Sequence, residues 1–242
     1  MIALALAGCG EGQALDRLAA GEHGRVTAVR SGDVLVLDSG LVVRLSGLQT
    51  PRAGDPGADE ARATLAKLVQ GREVQLYYGG ARRDAYGRAL AQVRLTGGDW
   101  VEGDMLRAGE AQVRTYADNR AMARPMLGDE ARARIAKRGL WRASGAFQVR
   151  LPREVDDRAQ GFQVVEGPVR RVSDTGRGAL LEFTDRRDGF AAEIPVAAAK
   201  DLSAAGVTPQ SLAARLVRVR GYVRWDGLMQ IDHPEQIEVL GR

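Results

Sequence analysis

RVTAVRSGDVLVLDSGLVVRLSGLQTPR, residues 25–52, decides the fold of this chain. Arg25 to Val29, Val34 to Leu37 and Val42 to Leu45 are short runs rich in β-branched and aliphatic residues. The pairs Ser31-Gly32 and Ser39-Gly40 separate them, and such pairs turn a chain back on itself. The stretch therefore predicts a three-strand meander. After the loop Pro51 to Ala58, Ala61, Leu65 and Leu68 recur at i, i+4 and i+7, the apolar stripe of a helix, which Gly71 ends. Two more strands follow, Glu73 to Tyr78 and Ala89 to Leu95, joined by a connection that opens with Gly79-Gly80. Val101, Met105, Leu106 and Ala108 predict a second helix that stops at Gly109. Pro125 opens a third, with Leu127, Ala131 and Ile135 inward and Lys137 and Arg138 near its last carbonyls before Gly139.

Five strands with interleaved helices describe an OB-type barrel. The 242 residues exceed one average domain, and the pattern changes again beyond it. Residues 143–160 mix Arg150, Arg153 and Arg158 with Glu154, Asp156 and Asp157, lack periodicity and contain Pro152, so they are expected to be a linker. From Gly161, short runs at Phe162 to Val165, Val169 to Val172, Ala179 to Phe183, Ala191 to Ile194, Arg215 to Trp225 and Leu228 to Ile231 surround an Ala-rich helix near Val196 to Ala204. A second, smaller OB-like β-barrel is expected there. The reading is a mainly β chain with α (α+β), divided into an N-terminal segment 1–23, a first domain 24–142, the linker, and a second domain 161–242.

Charge is distributed unevenly. Residues 24–142 carry 20 basic and 14 acidic side chains, whereas 143–160 and 161–242 each balance at zero. The first domain is the better candidate for an anionic partner, and the same excess also serves as an ordinary solubility charge. No apolar run reaches the length of a spanning helix. One cysteine and two histidines cannot build a disulfide or the usual zinc cages. That cysteine, Cys9, ends the apolar run MIALALAG. In the second domain, Arg218, Arg220, Tyr222 and Arg224 alternate with Val217, Val219, Gly221 and Val223. They are expected on one strand face, which either tracks a single-stranded nucleic acid or is a solvated barrel exterior. His233 is read as a turn residue and His23 as part of a mobile entry segment.

Residues 26–142 resemble the staphylococcal nuclease (thermonuclease) family. The resemblance rests on Ser31-Gly32-Asp33, on Arg44-Leu45 leading to Thr50-Pro51, on Asp84-Ala85-Tyr86-Gly87-Arg88, and on Ala131-Arg132 with Gly139-Leu140-Trp141. It implies a staphylococcal-nuclease-type OB barrel with three helices. It also implies metal-dependent phosphodiester hydrolysis in which calcium and two arginines neutralise the phosphate and a glutamate activates water. Carried over position by position, Asp33 is the first metal-binding carboxylate, Thr50 a carbonyl ligand, and Arg44 and Arg88 the phosphate clamp. Two positions depart from the pattern. Gln49 stands where the second metal-binding aspartate is implied, and Arg52 stands at the general-base position, where a guanidinium cannot accept a proton. Residues 161–242 also resemble the small OB-like domain appended to some bacterial nuclease-like proteins, including its closing His233 to Val239.

These departures lead to an expected phosphodiester-binding protein, acting on single-stranded DNA or RNA, with weak or no hydrolysis and a calcium site that is weak or absent. No small-molecule cofactor is expected. Two alternatives stay open: an active calcium-dependent nuclease that draws a carboxylate from Asp55 or Asp59, and a non-catalytic envelope lipoprotein with a protein partner. Asp33 either caps its turn or binds the metal, and Tyr86 either packs or stacks on a base or sugar. Leu6-Ala7-Gly8-Cys9 resembles a bacterial lipobox, which implies export, lipidation at Cys9 and membrane attachment only through that anchor. The alternative is a plain cleavable signal, and the true start is expected upstream because a basic n-region is missing.

Overall fold

A computed structural model describes residues 9–155, 161–184 and 189–241, with side chains described from residue 13 onward. Two compact units divide the chain, Met1–Phe147 and Gln148–Arg242. The run before Cys9 and the Cys9 side chain lie outside the described residues.

In chain order the first unit contains α1 (Cys9–Asp16), β1 (Ala19–Ser31), β2 (Val34–Leu37), β3 (Val42–Leu45), β4 (Leu48–Gln49), α2 (Ala58–Val69), β5 (Glu73–Tyr78), β6 (Ala89–Leu95), α3 (Val101–Ala108), β7 (Gln112–Val113) and α4 (Ala123–Ile135). Five strands close into a barrel in the order β1-β2-β3-β6-β5. Closure depends on β1, whose 13 residues serve both ends of the sheet. Its first half pairs with β5 from Ala19↔Tyr78 to Arg25↔Glu73, and its second half with β2 from Val26↔Leu37 to Ser31↔Val34. Register shifts within both ladders bend the strand, as bulges do, and the bend lets one strand reach both neighbours. Leu35, Leu45, Leu65, Leu76, Met105 and Leu106 fill the interior.

Three expectations need correction in this unit. The folded unit begins before residue 24, because Leu15 is fully buried in the core and His23 is a β1 residue opposite Gln75 rather than part of a mobile entry. In α4 the inward residues are Met126, Asp129, Glu130 and Ala133, while Ile135 is 80% exposed. The inner face of α4 is ionic. Glu130 accepts the Val113 N–H at 2.6 Å and pairs with Arg134 at 3.2 Å, and Asp129 pairs with Arg107 at 2.8 Å and with Arg132. A purely apolar stripe search rotates such a helix wrongly. Finally, the segment 143–160 is not a structureless linker in its described part. Phe147 packs its ring 5.3 Å from that of Trp141, and residues 148–155 fold with the second unit.

That unit contains β8 (Val149–Arg150), β9 (Gly161–Pro168), β10 (Arg171–Asp174), β11 (Gly178–Glu182), β12 (Ala191–Pro195), α5 (Val196–Ala204), β13 (Leu216–Val223), β14 (Leu228–Gln230) and β15 (Ile237–Gly241). The sheet runs β10-β11-β12-β14-β13-β9-β8, with β15 also paired to β13. Only Val169 and Arg170 separate β9 from β10, and their N–H groups donate to the Arg215 and Glu182 carbonyls. This second sheet has eight strands and, unlike the first, does not close on itself by strand pairing, so the second barrel expected from the sequence is a sheet here. Among the described residues no helix is long and apolar enough to cross a membrane.

One buried group conflicts with its surroundings. Glu110 is 8% exposed and its Oε2 has no hydrogen-bond partner. Burial, aided by Glu60 and opposed by Arg142, pushes its carboxyl above the usual range. A carboxyl raised in the folded state binds its proton more tightly there, so ionisation costs stability as pH rises from the unfolded to the folded value. Glu110→Gln is therefore expected to stabilise the protein by about 1 kcal/mol at pH 7–8. That gain should vanish below roughly pH 4, where the free side chain is also protonated. Urea titrations of both proteins across pH check this, and a pH-independent difference contradicts it.

Candidate nucleic-acid site

The pairs Ser31-Gly32 and Ser39-Gly40 make the turns that bring β1, β2 and β3 side by side, and this sets up the first part of the site. Asp33 sits at the β1–β2 turn, where its carbonyl accepts the Leu45 N–H at 2.8 Å. Its carboxylate accepts the Ser31 hydroxyl at 2.7 Å and pairs with Arg44 at 3.1 Å. The turn role and the arginine contact thus occupy Asp33 together. Parallel pairing of β3 with β6 sets Arg44 opposite Leu90, two residues beyond Arg88. The same pairing sets Val43 opposite Ala89, the residue after Arg88, so the end of the 84–88 loop meets β3 and arginines separated by 44 positions line one cavity.

Asp84-Ala85-Tyr86-Gly87-Arg88 builds its own turn. Oδ1 of Asp84 accepts the N–H groups of Tyr86 (2.9 Å) and Arg88 (3.0 Å), and Oδ2 accepts Arg88 Nε at 2.6 Å. Gly87 takes a φ of 75°, a left-handed conformation that a side chain would strain. Burial opposes ionisation of Asp84, but the Arg88 guanidinium and these N–H groups prevail and hold its carboxyl below the usual range. The loop's other leg is anchored by Arg83, which donates to Glu22 Oε1 at 2.5 Å and to the Tyr78 hydroxyl at 3.0 Å. Tyr78 in turn donates to Glu22 Oε2 at 2.5 Å, and these contacts lower the Glu22 carboxyl to about 2.

A cavity of about 410 Å³ lies where these elements meet, and Arg44, Arg88, Tyr86, Tyr116 and Asp118 all line it. Tyr86 is 84% exposed, so it is not a packing residue. Arg88 lies over its ring at 5.3 Å, and Arg114 lies over Tyr116 at 5.0 Å. The 114–120 segment is a part of the site that sequence reading missed. It carries no periodicity and none of the family pieces. Pairing of β4 with β7 (Leu48↔Val113) carries it across, and Asn119 Nδ2 donates to Ser46 Oγ at 2.8 Å to hold it there. Two guanidiniums, two exposed phenol rings with an arginine over each, and apolar side chains suit a phosphate with an attached planar group.

Gln49, Thr50 and Arg52 lie outside the cavity lining. Gln49 donates from Nε2 to the Thr50 carbonyl at 3.1 Å, and its Oε1 accepts from Arg114 at 3.1 Å. Each oxygen implied as a calcium ligand is therefore already committed: Asp33 to Arg44 and Ser31, the Gln49 amide to Arg114, the Thr50 carbonyl to Gln49. This donor set does not fit a hard divalent cation, which needs several clustered carboxylate oxygens. Among the described residues no group of three or more His, Cys, Asp or Glu converges. Arg52 is exposed, and its N–H donates to Asp55 Oδ2 at 3.1 Å. Asp59 is 96% exposed at its side chain and pairs with Arg62 at 3.6 Å.

The arginine face expected in the second unit is not an open one. Arg220 is 1% exposed and pairs with Glu238 at 2.6 Å. Arg218 is held by Glu166 at 2.6 Å and Glu238 at 3.3 Å. Arg224 is paired with Asp226 at 2.6 Å, and Tyr222 packs edge-on against Phe162. Alternation placed these groups on one face, but the neighbouring strands set carboxylates beside them, with Glu166 of β9 and Glu238 of β15 both opposite Arg218. His233, read as a turn residue, caps a short 3-10 turn and is buried, with Nδ1 3.2 Å from Glu235.

A closed five-strand OB-type barrel with helices, in which arginines from β3 and the 84–88 loop line one cavity, has the architecture of staphylococcal-nuclease-type folds. The chain belongs to the staphylococcal nuclease homologue family, whose model matches residues 42–143. A relative from Escherichia coli O157:H7, named "Uncharacterized endonuclease", is 37% identical over 127 residues, which are 51% of this chain and 80% of that protein. The "Probable staphylococcal-like nuclease CAN1" of Oryza sativa subsp. japonica is 34% identical over 103 residues, 42% of this chain and 29% of its own length. An "Uncharacterized 38.1 kDa protein" of Capnoides sempervirens is 34% identical over 105 residues, 42% of this chain and 28% of its own length.

Proposed function

We propose that the first unit binds single-stranded nucleic acid through its phosphodiesters, with weak or no hydrolysis. The observation that carries this reading is the shared cavity of Arg44 and Arg88 beside Tyr86 and Tyr116. Arginine forks supply charge-assisted bonds to phosphate oxygens, and exposed aromatic faces stack on bases of any sequence. Hydrolysis needs in addition a base and a stabiliser of developing charge. Arg52 at the family's base position cannot accept a proton, and the oxygens for a cation are engaged by Arg44, Arg114 and Gln49. Loss of a general base costs roughly 10² to 10⁴ in rate. Titration of a fluorescent single-stranded oligonucleotide, with and without calcium, tests binding, and release of acid-soluble fragments from denatured DNA tests cleavage. Retention that falls with salt, without fragments, supports the reading, and rapid calcium-dependent release overturns it.

The second reading is an active calcium-dependent nuclease, and the endonuclease name of the Escherichia coli relative favours it. It requires Asp55 to leave the Arg52 N–H, or Asp59 to leave Arg62, and to turn toward the vacant carboxylate positions. Asp55→Ala should then abolish release where Asp55 serves, and Asp59→Ala where Asp59 does.

We also propose that the protein is exported and lipid-anchored through Cys9, on the strength of the Leu6 to Cys9 sequence. A chain carrying a complete signal should take up labelled fatty acid at this residue, and Cys9→Ala should move from the membrane to the soluble fraction. Unchanged partitioning of Cys9→Ala contradicts the proposal.

A further inference from the structure

One of the two carboxylates lining the cavity has no protein partner among the described residues. Of its polar groups, Arg44 is paired with Asp33, and Arg88 with Asp84. Asp84 already receives two backbone N–H groups and the Arg88 side chain, and the Asn119 amide donates to Ser46. Asp118 lines the same space, is exposed, and among the described residues makes no hydrogen bond or ion pair. It lies two residues beyond Tyr116, in the segment that β4–β7 pairing carries to the cavity.

Resting on the reading of this cavity as a phosphodiester site, we propose that Asp118 determines which nucleobase the cavity prefers, by accepting hydrogen bonds from the base's Watson–Crick edge. A phosphate on Arg44 and Arg88 places the attached base toward the tyrosines. Single-stranded bases stacked on aromatic rings are read on their exposed edges. An ionised carboxylate has only acceptors, so it discriminates by counting donors. Guanine offers N1–H and the N2 amino group side by side, a match for both carboxylate oxygens. Cytosine and adenine offer one amino group next to a ring acceptor. Thymine and uracil offer one N–H flanked by two carbonyl oxygens, both repelled by the carboxylate. The order of preference is therefore guanine first, adenine and cytosine next, thymine and uracil last. A well-aligned pair of such bonds separates right from wrong base by about tenfold or more.

The test uses the full-length protein and nucleoside 3′,5′-bisphosphates of guanosine, adenosine, cytidine and thymidine, with dissociation constants from calorimetry. Guanosine bisphosphate should bind at least about tenfold more tightly than thymidine bisphosphate. Asp118→Ala should erase that ratio while leaving thymidine binding unchanged or tighter. Asp118→Asn, which adds donors of nearly the same shape, should narrow the ratio by improving thymidine binding. Equal affinities for the four ligands in the wild-type protein overturn the assignment while leaving the phosphate site intact. A guanosine preference that persists in Asp118→Ala also overturns it. Failure of all four ligands to bind removes the phosphate site itself, and the base preference with it.

Discussion

Changing Gln49→Asp and Arg52→Glu together should convert this protein into a calcium-dependent nuclease at least about a hundredfold faster on denatured DNA than the wild type. The expectation follows from what the two side chains do now. Gln49 presents an amide nitrogen to the Thr50 carbonyl and gives its oxygen to Arg114. An aspartate there has no N–H to donate, frees the Thr50 carbonyl, and adds a second carboxylate to the implied ligand set. Arg52 is solvent-exposed at the start of the 52–57 loop, so a glutamate fits without repacking the core. It supplies the proton acceptor that a guanidinium cannot be.

Either change alone should do little. A base without the second carboxylate faces a poor cation site, and a cation site without the base lacks the group that takes the proton from water. Groups acting as a unit are non-additive in this way. Rates of acid-soluble release for the wild type, both single variants and the double variant form the cycle to be measured. A wild type already as fast as the double variant would show that Asp55 or Asp59 supplies the chemistry.

The strands and helices of the first unit were legible because their signals are local. The β-rich runs 34–37 and 42–45, the Ala61, Leu65, Leu68 stripe and the stops at Gly71 and Gly109 agree with the structure to within a residue or two, whereas the third helix ends at Ile135, four residues before Gly139. The Asp84 to Arg88 turn was legible because its hydrogen bonds are made within five residues. What escaped is non-local. The 114–120 segment reaches the cavity only because β4 pairs with β7, and two-residue strands leave no pattern. The inner face of α4 is ionic, so hydrophobic periodicity pointed to Ile135 instead of Glu130. Arg220 looked like a surface group because alternation gives the face of a strand but says nothing of the carboxylate that the neighbouring strand β15 brings beside it, Glu238. The long β1 hides its first half for a related reason: Ala19 to Gly24 carries few β-branched residues and is strand because β5 pairs with it.

Arg88→Ala should weaken binding of a single-stranded oligonucleotide by about 10- to 100-fold, since hydrogen bonds to a charged partner contribute roughly 1.5–3 kcal/mol each. In the free protein Arg88 is held by Asp84 through Nε and Nη2, an arrangement that fixes the plane of the guanidinium and leaves the remaining N–H groups for phosphate. Arg88→Lys should therefore recover little: an ammonium on a flexible stem keeps the charge but cannot engage Asp84 and a phosphate in one plane. The salt dependence should record the lost contact as well, with the slope of log affinity against log salt falling by about one phosphate's worth. Arg44→Ala should resemble Arg88→Ala. If both guanidiniums grip one phosphate, the double variant should lose less than the two single losses combined, because the second removal acts on a contact already weakened. Losses that add fully would place the arginines on separate phosphates. An unchanged affinity and salt slope in Arg88→Ala, with the fold intact by circular dichroism, would remove Arg88 from the site altogether.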